Sequence, residues 1–110
     1  MINYEDFQKV DIRVGTVSKV DPFPQARRSA YQVWVDFGGE LGIKKSSAQI
    51  TKHYDMTQLV GKQVLAVVNF PPKQIGPFWS EVLILGLADN QNHIVLVSPD
   101  QPVPNGGKLH

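Results

Sequence analysis

The apolar residues of this chain come in short β-branched runs, each cut off by proline, glycine or asparagine before it reaches the length of a long helix. The first run, Asp11–Val20, carries Ile12, Val14, Thr16, Val17 and Val20, and reads as a strand. Gly15 inside it predicts a bend or bulge of the kind that tightly coiled barrels require. Asp21-Pro22-Phe23-Pro24 ends the run, because its prolines fix φ and withhold ladder donors. In the next strand, Tyr31–Phe37, Tyr31, Val33, Val35 and Phe37 share one face and Gln32, Trp34 and Asp36 the other. Gly38-Gly39-Glu40 turns the chain into a third strand, Leu41–Lys45.

From Ser46 the spacing becomes helical, with Ala48, Ile50, Thr51 and Tyr54 three to four apart and the Ser46-Ser47 pair placed to cap the segment. The fourth strand, Lys62–Phe70, is continuously apolar through its middle, which predicts burial on both faces. Pro71–Trp79 reads as a loop. Ser80–Leu87 and His93–Val97 are the last strands, and Pro99–Gly107 is a tail rich in proline and glycine. A short helix precedes them all, Tyr4–Val10, with Asn3 as its N-cap and Glu5 and Asp6 in the first turn, where the helix dipole favours acids. Five or six strands with one helix between the third and fourth is the layout of an OB-fold, a small all-β Greek-key barrel. An SH3-like barrel is the alternative, and the position of the helix favours the OB-fold.

At 110 residues the chain has room for a single domain, 1–110. It has no cysteine, so disulfide scaffolds, thiol catalysis and thiolate metal sites are excluded. No apolar run approaches the roughly 20 residues that span a bilayer. The first residues, Met1 to Phe7, lack the basic and long apolar regions of a secretory signal, so a cytoplasmic protein without membrane insertion is expected. Charge is informative by region. Residues 1–40 hold five basic and six acidic groups, residues 41–80 five and one, and residues 81–110 one and three. The middle is therefore the only stretch where a phosphate-seeking surface could sit, joined by Arg27 and Arg28 if the fold brings them near, although on charge alone ordinary solvated lysines on a loop and a helix are the favoured reading.

Signatures of enzymes are missing: there is no nucleophile elbow, no phosphate-binding Gly-Lys-Ser/Thr and no dinucleotide fingerprint. His53 has Asp55 two residues away, but residues two apart on a helix do not face each other. No two histidines are four apart and the acids are scattered, so neither a metal site nor a cofactor is expected. Two segments stand out instead. The loop from Asn69 to Ser80 combines Asn69, Lys73 and Ser80 with Phe70, Ile75, Phe78 and Trp79. Either Phe70 plugs the barrel end and the rest form a satellite cluster, or some of these apolar groups meet a partner: stacked bases, peptide side chains or a second copy. The other segment, Lys44-Lys45-Ser46-Ser47, sets two cations before a helix start, whose free N–H groups bind anions.

These residues carry a resemblance to a known family. Phe7–Gly15, Gly42–Thr51 with its Lys-Ser-Ser-Ala-Gln-Ile-Thr stretch, Val67–Pro72 with its Asn-Phe-Pro-Pro, Ser80–Leu83 and Pro99–Gly106 resemble the CsaA group, small bacterial chaperone-like proteins associated with export. That group is a branch of the tRNA-binding-domain family. The resemblance implies a homodimeric OB-fold, with terminal segments helping to build the interface, and affinity for unfolded or precursor polypeptides. Independently, the marginal core of a small barrel gains from burying apolar end residues, Phe7 and Val103 among them. The tRNA-binding relatives use an asparagine at the end of the fourth strand and a serine eleven residues on, which Asn69 and Ser80 match. They carry Gly-Met where Val82-Leu83 stands here. On the tRNA reading, Arg27, Arg28, Lys44, Lys45 and Lys73 contact phosphates, while Asn69 and Ser80 reach ribose or a base edge.

Overall fold

The computed structural model describes residues 1–110. In chain order the elements are α1 (Tyr4–Gln8), β1 (Ile12–Pro22), β2 (Tyr31–Asp36), β3 (Ile43–Ala48), α2 (Met56–Leu59), β4 (Gln63–Val67), β5 (Lys73–Ile75), β6 (Phe78–Ser80), β7 (Leu83–Ile84), β8 (Gly86–Ala88) and β9 (Ile94–Leu96). The central sheet has the order β3-β2-β1-β4-β7, all neighbours antiparallel. β1 serves both halves of the barrel: Ile12–Thr16 pairs with β4, and Thr16–Pro22 pairs with β2. It manages this by bending where its register with β2 slips between Val17 and Lys19, since a bulge adds twist and re-aims the strand.

The sheet is a nearly closed barrel of the OB type. On the free edge of β3, the Lys45 N–H donates to Glu81 Oε1 (3.1 Å), the Glu81 N–H to the Lys45 carbonyl (2.8 Å) and the Ser47 N–H to Ser80 Oγ (3.1 Å). Side-chain oxygens thus stand where a paired strand would put carbonyls, and the edge is left with few free donors. Val17, Val33, Val35, Phe37, Val64, Ala66 and Val82 fill the interior, and Leu59 of α2 is fully buried among them. The tail adds a strand-like stretch to the part of β1 that β2 does not reach. Gly106 N–H donates to the Val14 carbonyl (2.8 Å), Val14 N–H to Gly107 (3.0 Å) and Leu109 N–H to Ile12 (2.8 Å).

Several local expectations are corrected. Residues 46–48 are strand, not helix; the helix between β3 and β4 is the single turn Met56–Leu59, started by a capping box in which Asp55 and Gln58 bond each other's backbone. Ala48, Ile50 and Tyr54 do reach the core, but by strand alternation and an irregular turn. Pro71–Trp79 is not all loop, because β5 and β6 form a hairpin turned at Gly76, whose φ of +57° suits glycine. The Ser80–Leu87 run is split into β7 and β8. β1 extends through Pro22, past the expected break.

The bulge also lies two to three residues beyond Gly15, whose role is close approach. A Cβ there would stand 2.5 Å from Val35 Cγ1, 2.8 Å from Phe37 Cδ1 and 3.0 Å from the Asp36 carbonyl oxygen. Gly15→Ala is therefore expected to destabilise the fold by about 1–3 kcal/mol, the usual cost of overpacking. Urea unfolding that places the variant within error of wild type would contradict it.

Candidate functional site

The β5–β6 hairpin pairs Lys73 with Ser80, Gln74 with Trp79 and Ile75 with Phe78. Strand alternation sends Phe78 inward and Trp79 outward. Phe78 is 7% exposed and packs with Phe23 (ring centroids 5.3 Å apart) and Trp34 (6.2 Å, edge-on), whereas Trp79 is 48% exposed. Phe70 is 51% exposed, so it does not plug the barrel end; Phe78 is the aromatic that forms the satellite cluster, with Phe23 and Ala30.

Register then explains an arrangement that residue order hides. Trp34 lies directly across from Lys19 on one side and Lys45 on the other. Lys19 Nζ sits 4.6 Å over the Trp34 ring, and Lys45 Nζ sits 5.3 Å over the Phe78 ring. The aromatic surface under the hairpin is thus flanked by two cations held by ring faces. Lys44 is not part of it. It is aligned with the core residue Val35, on the opposite face of β3 from Lys45, so the adjacent lysines do not act as a pair. No helix begins at Ser46-Ser47, so the free helix-start N–H groups of that reading are not there: the residues lie in β3, where the Ser47 N–H is held by Ser80.

Arg27, Arg28, Ser47 and Lys73 do come together. With Gln25, Gln49, Gln74 and Ile75 they line an open cleft of about 630 Å³ that contains three cations and no carboxylate. Next to it, Phe70, Pro71, Ser80, Val82 and Leu83 surround a smaller hollow of about 180 Å³, with Glu81 at its wall; Lys73 lines both. The polar residues expected to touch a ligand are engaged inside the protein. Ser46 is fully buried and donates to the Ser47 carbonyl (3.0 Å), and the Ser80 hydroxyl lies 3.4 Å from both Ser46 Oγ and the Val82 carbonyl. Asn69 accepts from the Asp11 N–H (3.0 Å) and donates to the Lys9 carbonyl (2.8 Å), fastening the exit of α1 to the end of β4.

The two residues assigned to an interface sit apart in character. Phe7 is half-buried against the Tyr4 ring, with centroids 6.1 Å apart. Val103 is 41% exposed, its backbone held by the Gln63 side chain through its N–H (3.1 Å) and its carbonyl, and it lines an apolar groove with Val14, Leu65, Pro99 and Leu109. Elsewhere, three ionisable groups are perturbed. The Arg13 guanidinium is raised by its hydrogen bond to Asp11, and the Asp55 carboxyl is lowered by the Gln58 N–H that it caps. Asp89 is held down to about 2, chiefly by the His93 N–H and then by the His53 ring.

The family model for the tRNA binding domain matches residues 12–108. The chain superposes on chaperone CsaA of Bacillus anthracis with a TM-score of 0.93 and 49% identity, covering 100% of this chain and 99% of that one. This protein is a CsaA-like member of the tRNA-binding-domain family. CsaA chaperone protein from Picrophilus torridus is similar to the same degree, at 47% identity, a TM-score of 0.93 and full coverage of both chains. Methionine–tRNA ligase of Porphyromonas gingivalis is 36% identical over 108 residues, 98% of this chain but 15% of the ligase. That of Pyrococcus furiosus is 33% identical over 98% of this chain and 14% of the ligase. The chain thus spans about one seventh of the length of these curated relatives, and the likeness is confined to that small part of them.

Proposed function

We propose that this CsaA-like protein is a non-enzymatic chaperone that holds unfolded or precursor polypeptides on the β5–β6 hairpin face, works as a cytoplasmic homodimer and serves protein export. The observation that carries the reading is that two aromatics face solvent in one short, proline-rich segment, Phe70 on the approach to the hairpin and Trp79 on its second strand, with Lys73 on its first and Lys45 over Phe78. An unfolded client offers apolar side chains to the rings and carboxylates to the cations. A surface already ordered by Pro71, Pro72 and Pro77 loses little entropy on binding. Dimerisation through the apolar end segments, Phe7 and Val103 among them, would present two such faces to one chain and raise avidity. The CsaA neighbours described as chaperones support this reading.

A specific observation favours a second reading, tRNA binding. The cleft of Arg27, Arg28 and Lys73 has no acidic lining residue, which suits a phosphate backbone better than it suits a mixed peptide. On this reading Trp79 stacks on a base, and Asn69 and Ser80 position backbone more than they contact ribose.

Competition separates the two. A reduced, denatured client is offered at physiological salt with and without bulk tRNA, and intrinsic tryptophan fluorescence follows binding. Client capture that tRNA does not displace is the expected result. Tight tRNA binding at that salt with no client capture would make the protein an RNA-binding module. Sedimentation at micromolar concentration tests the dimer, and a monomer there would remove it from the proposal.

A further inference from the structure

Opposite readings of the hairpin face leave one cluster unused. His53 comes from the loop between β3 and α2, while Asp89 and His93 come from the turn joining β8 to β9. One ligand atom from each lies within 4.8 Å of the others. Residue spacing alone points away from metal binding, since the two segments are 36 residues apart and the three groups meet only when the barrel closes.

The cluster is held from behind. Asp89 Oδ1 accepts from the backbone N–H groups of Gln91 (2.9 Å) and His93 (2.8 Å), which leaves Oδ2 turned to His53 Nε2 at 2.7 Å. The Asp89 N–H donates to the His93 carbonyl (2.9 Å), and Asn92 closes the turn in the left-handed region at φ +63°. On the other side, the Tyr54 hydroxyl accepts from the Leu96 N–H (3.0 Å) and donation from Tyr31 reaches the Tyr54 carbonyl (2.8 Å), so the residue after His53 is fastened to both β9 and β2. The two imidazoles face each other nearly perpendicular, 74° between planes and 6.1 Å between centroids.

We propose that His53, Asp89 and His93 form a binding site for a divalent d-block cation, zinc foremost, with a fourth position open to solvent. Two imidazole nitrogens and one carboxylate oxygen are the donor set of three-ligand zinc sites, and they offer too few oxygens for calcium or magnesium. Metal–ligand bonds of about 2.0–2.2 Å in tetrahedral array set ligand atoms about 3.3 Å apart. The His53–Asp89 pair therefore opens by roughly half an ångström and His93 swings in, while the His53 Nε2–H that donates to Asp89 gives way to the metal, its proton passing to Nδ1 of the neutral ring or to solvent from a protonated one. His53 is 42% exposed, so its ring has room to make that adjustment. The Gln91 and His93 N–H groups on Asp89 Oδ1 play the part of the outer partners that orient ligands in metal sites, and Tyr54 anchors the backbone next to His53.

The test uses the whole chain and the metal alone. Titration with zinc, followed by calorimetry, and with cobalt, followed by its visible absorption, is expected to give one equivalent bound. His53→Ala and His93→Gln are each expected to weaken binding at least about tenfold, the loss seen when outer partners alone are removed. His110→Ala, which deletes the one other histidine, is expected to change nothing. Should either variant fail to fold, zinc-induced shifts of the imidazole resonances in the wild-type protein decide: changes confined to His53 and His93 support the site. No saturable binding up to about 1 mM metal, binding that survives both His53 and His93 variants, or shifts centred on His110 would overturn it.

Discussion

Phe78→Ala is expected to destabilise the protein by about 3–5 kcal/mol, the cost of emptying a buried aromatic site. Phe78 is 7% exposed, meets the Phe23 ring at a tilt and the Trp34 ring edge-on, and carries Lys45 on its ring. Its removal leaves a cavity between the hairpin and β2 that only the short β5–β6 ladder resists. Trp79→Ala is expected to behave in the opposite way, within about 0.5 kcal/mol of wild type in stability because half of its surface is in water. Its effect falls on client binding. Urea unfolding of each single variant checks the first pair of outcomes, and Trp34 remains as the fluorescent reporter when Trp79 is gone. A double variant of adjacent Phe78 and Trp79 would confound the two, since lost binding would report a damaged hairpin. Equal stabilities for the two single variants would show that the hairpin is not anchored through Phe78.

The parts of the fold legible in the sequence are those set by neighbours a few residues away. Through β2 and the residue after it the alternation holds, and Val33, Val35 and Phe37 are the core face that it predicts. The segment after it misleads for an identifiable reason. Ser46 is a core residue by position and a polar one by type, so the period-two signal of β3 is masked and the spacing of Ala48, Ile50 and Tyr54 looks helical. The helix that does form carries its own local sign, Asp55 followed three residues later by Gln58, which is the pattern of a reciprocal cap. Gly15 was legible as special, but the cause is the closeness of Val35 and Phe37, and a contact across strands leaves no trace in the residues beside it.

The candidate face follows the same division. That aromatic and basic groups gather around residues 69–80 is visible in the composition of that stretch, and Phe70, Lys73 and Trp79 do reach solvent. Which aromatic turns inward requires the hairpin register, and the separation of Lys44 from Lys45 requires β3 to be known as a strand. The alternation puts Trp34 on the outer face of β2, but its alignment with Lys19 and Lys45 runs across three strands and leaves no local signal. The His53–Asp89 contact is further still from local signals, since it joins loops at the far ends of two strand pairs.

Neutralising the cleft, with Arg27, Arg28 and Lys73 each changed to Gln, is expected to remove a large part of the salt dependence of tRNA binding. Each phosphate contact contributes about 0.7–0.9 to the slope of log K against log salt, so three lost contacts flatten it by about 2–3. Between about 50 and 200 mM salt the wild-type affinity then falls roughly 20- to 40-fold more than that of the variant. Lys44→Gln is the matched control, because it removes one charge of the same sign from the opposite face of β3 and should leave the slope alone. The cleft holds no carboxylate that losing the cations would leave unpaired, and none of the three forms an ion pair, so the variant is expected to keep its fold. A slope unchanged by the triple variant would place any RNA surface elsewhere, and a slope flattened by Lys44→Gln by about a third as much, one charge against three, would mean that the tRNA feels only the overall charge. Loss of client capture in the same triple variant, with Trp79 untouched, would show that polypeptide and RNA draw on one surface.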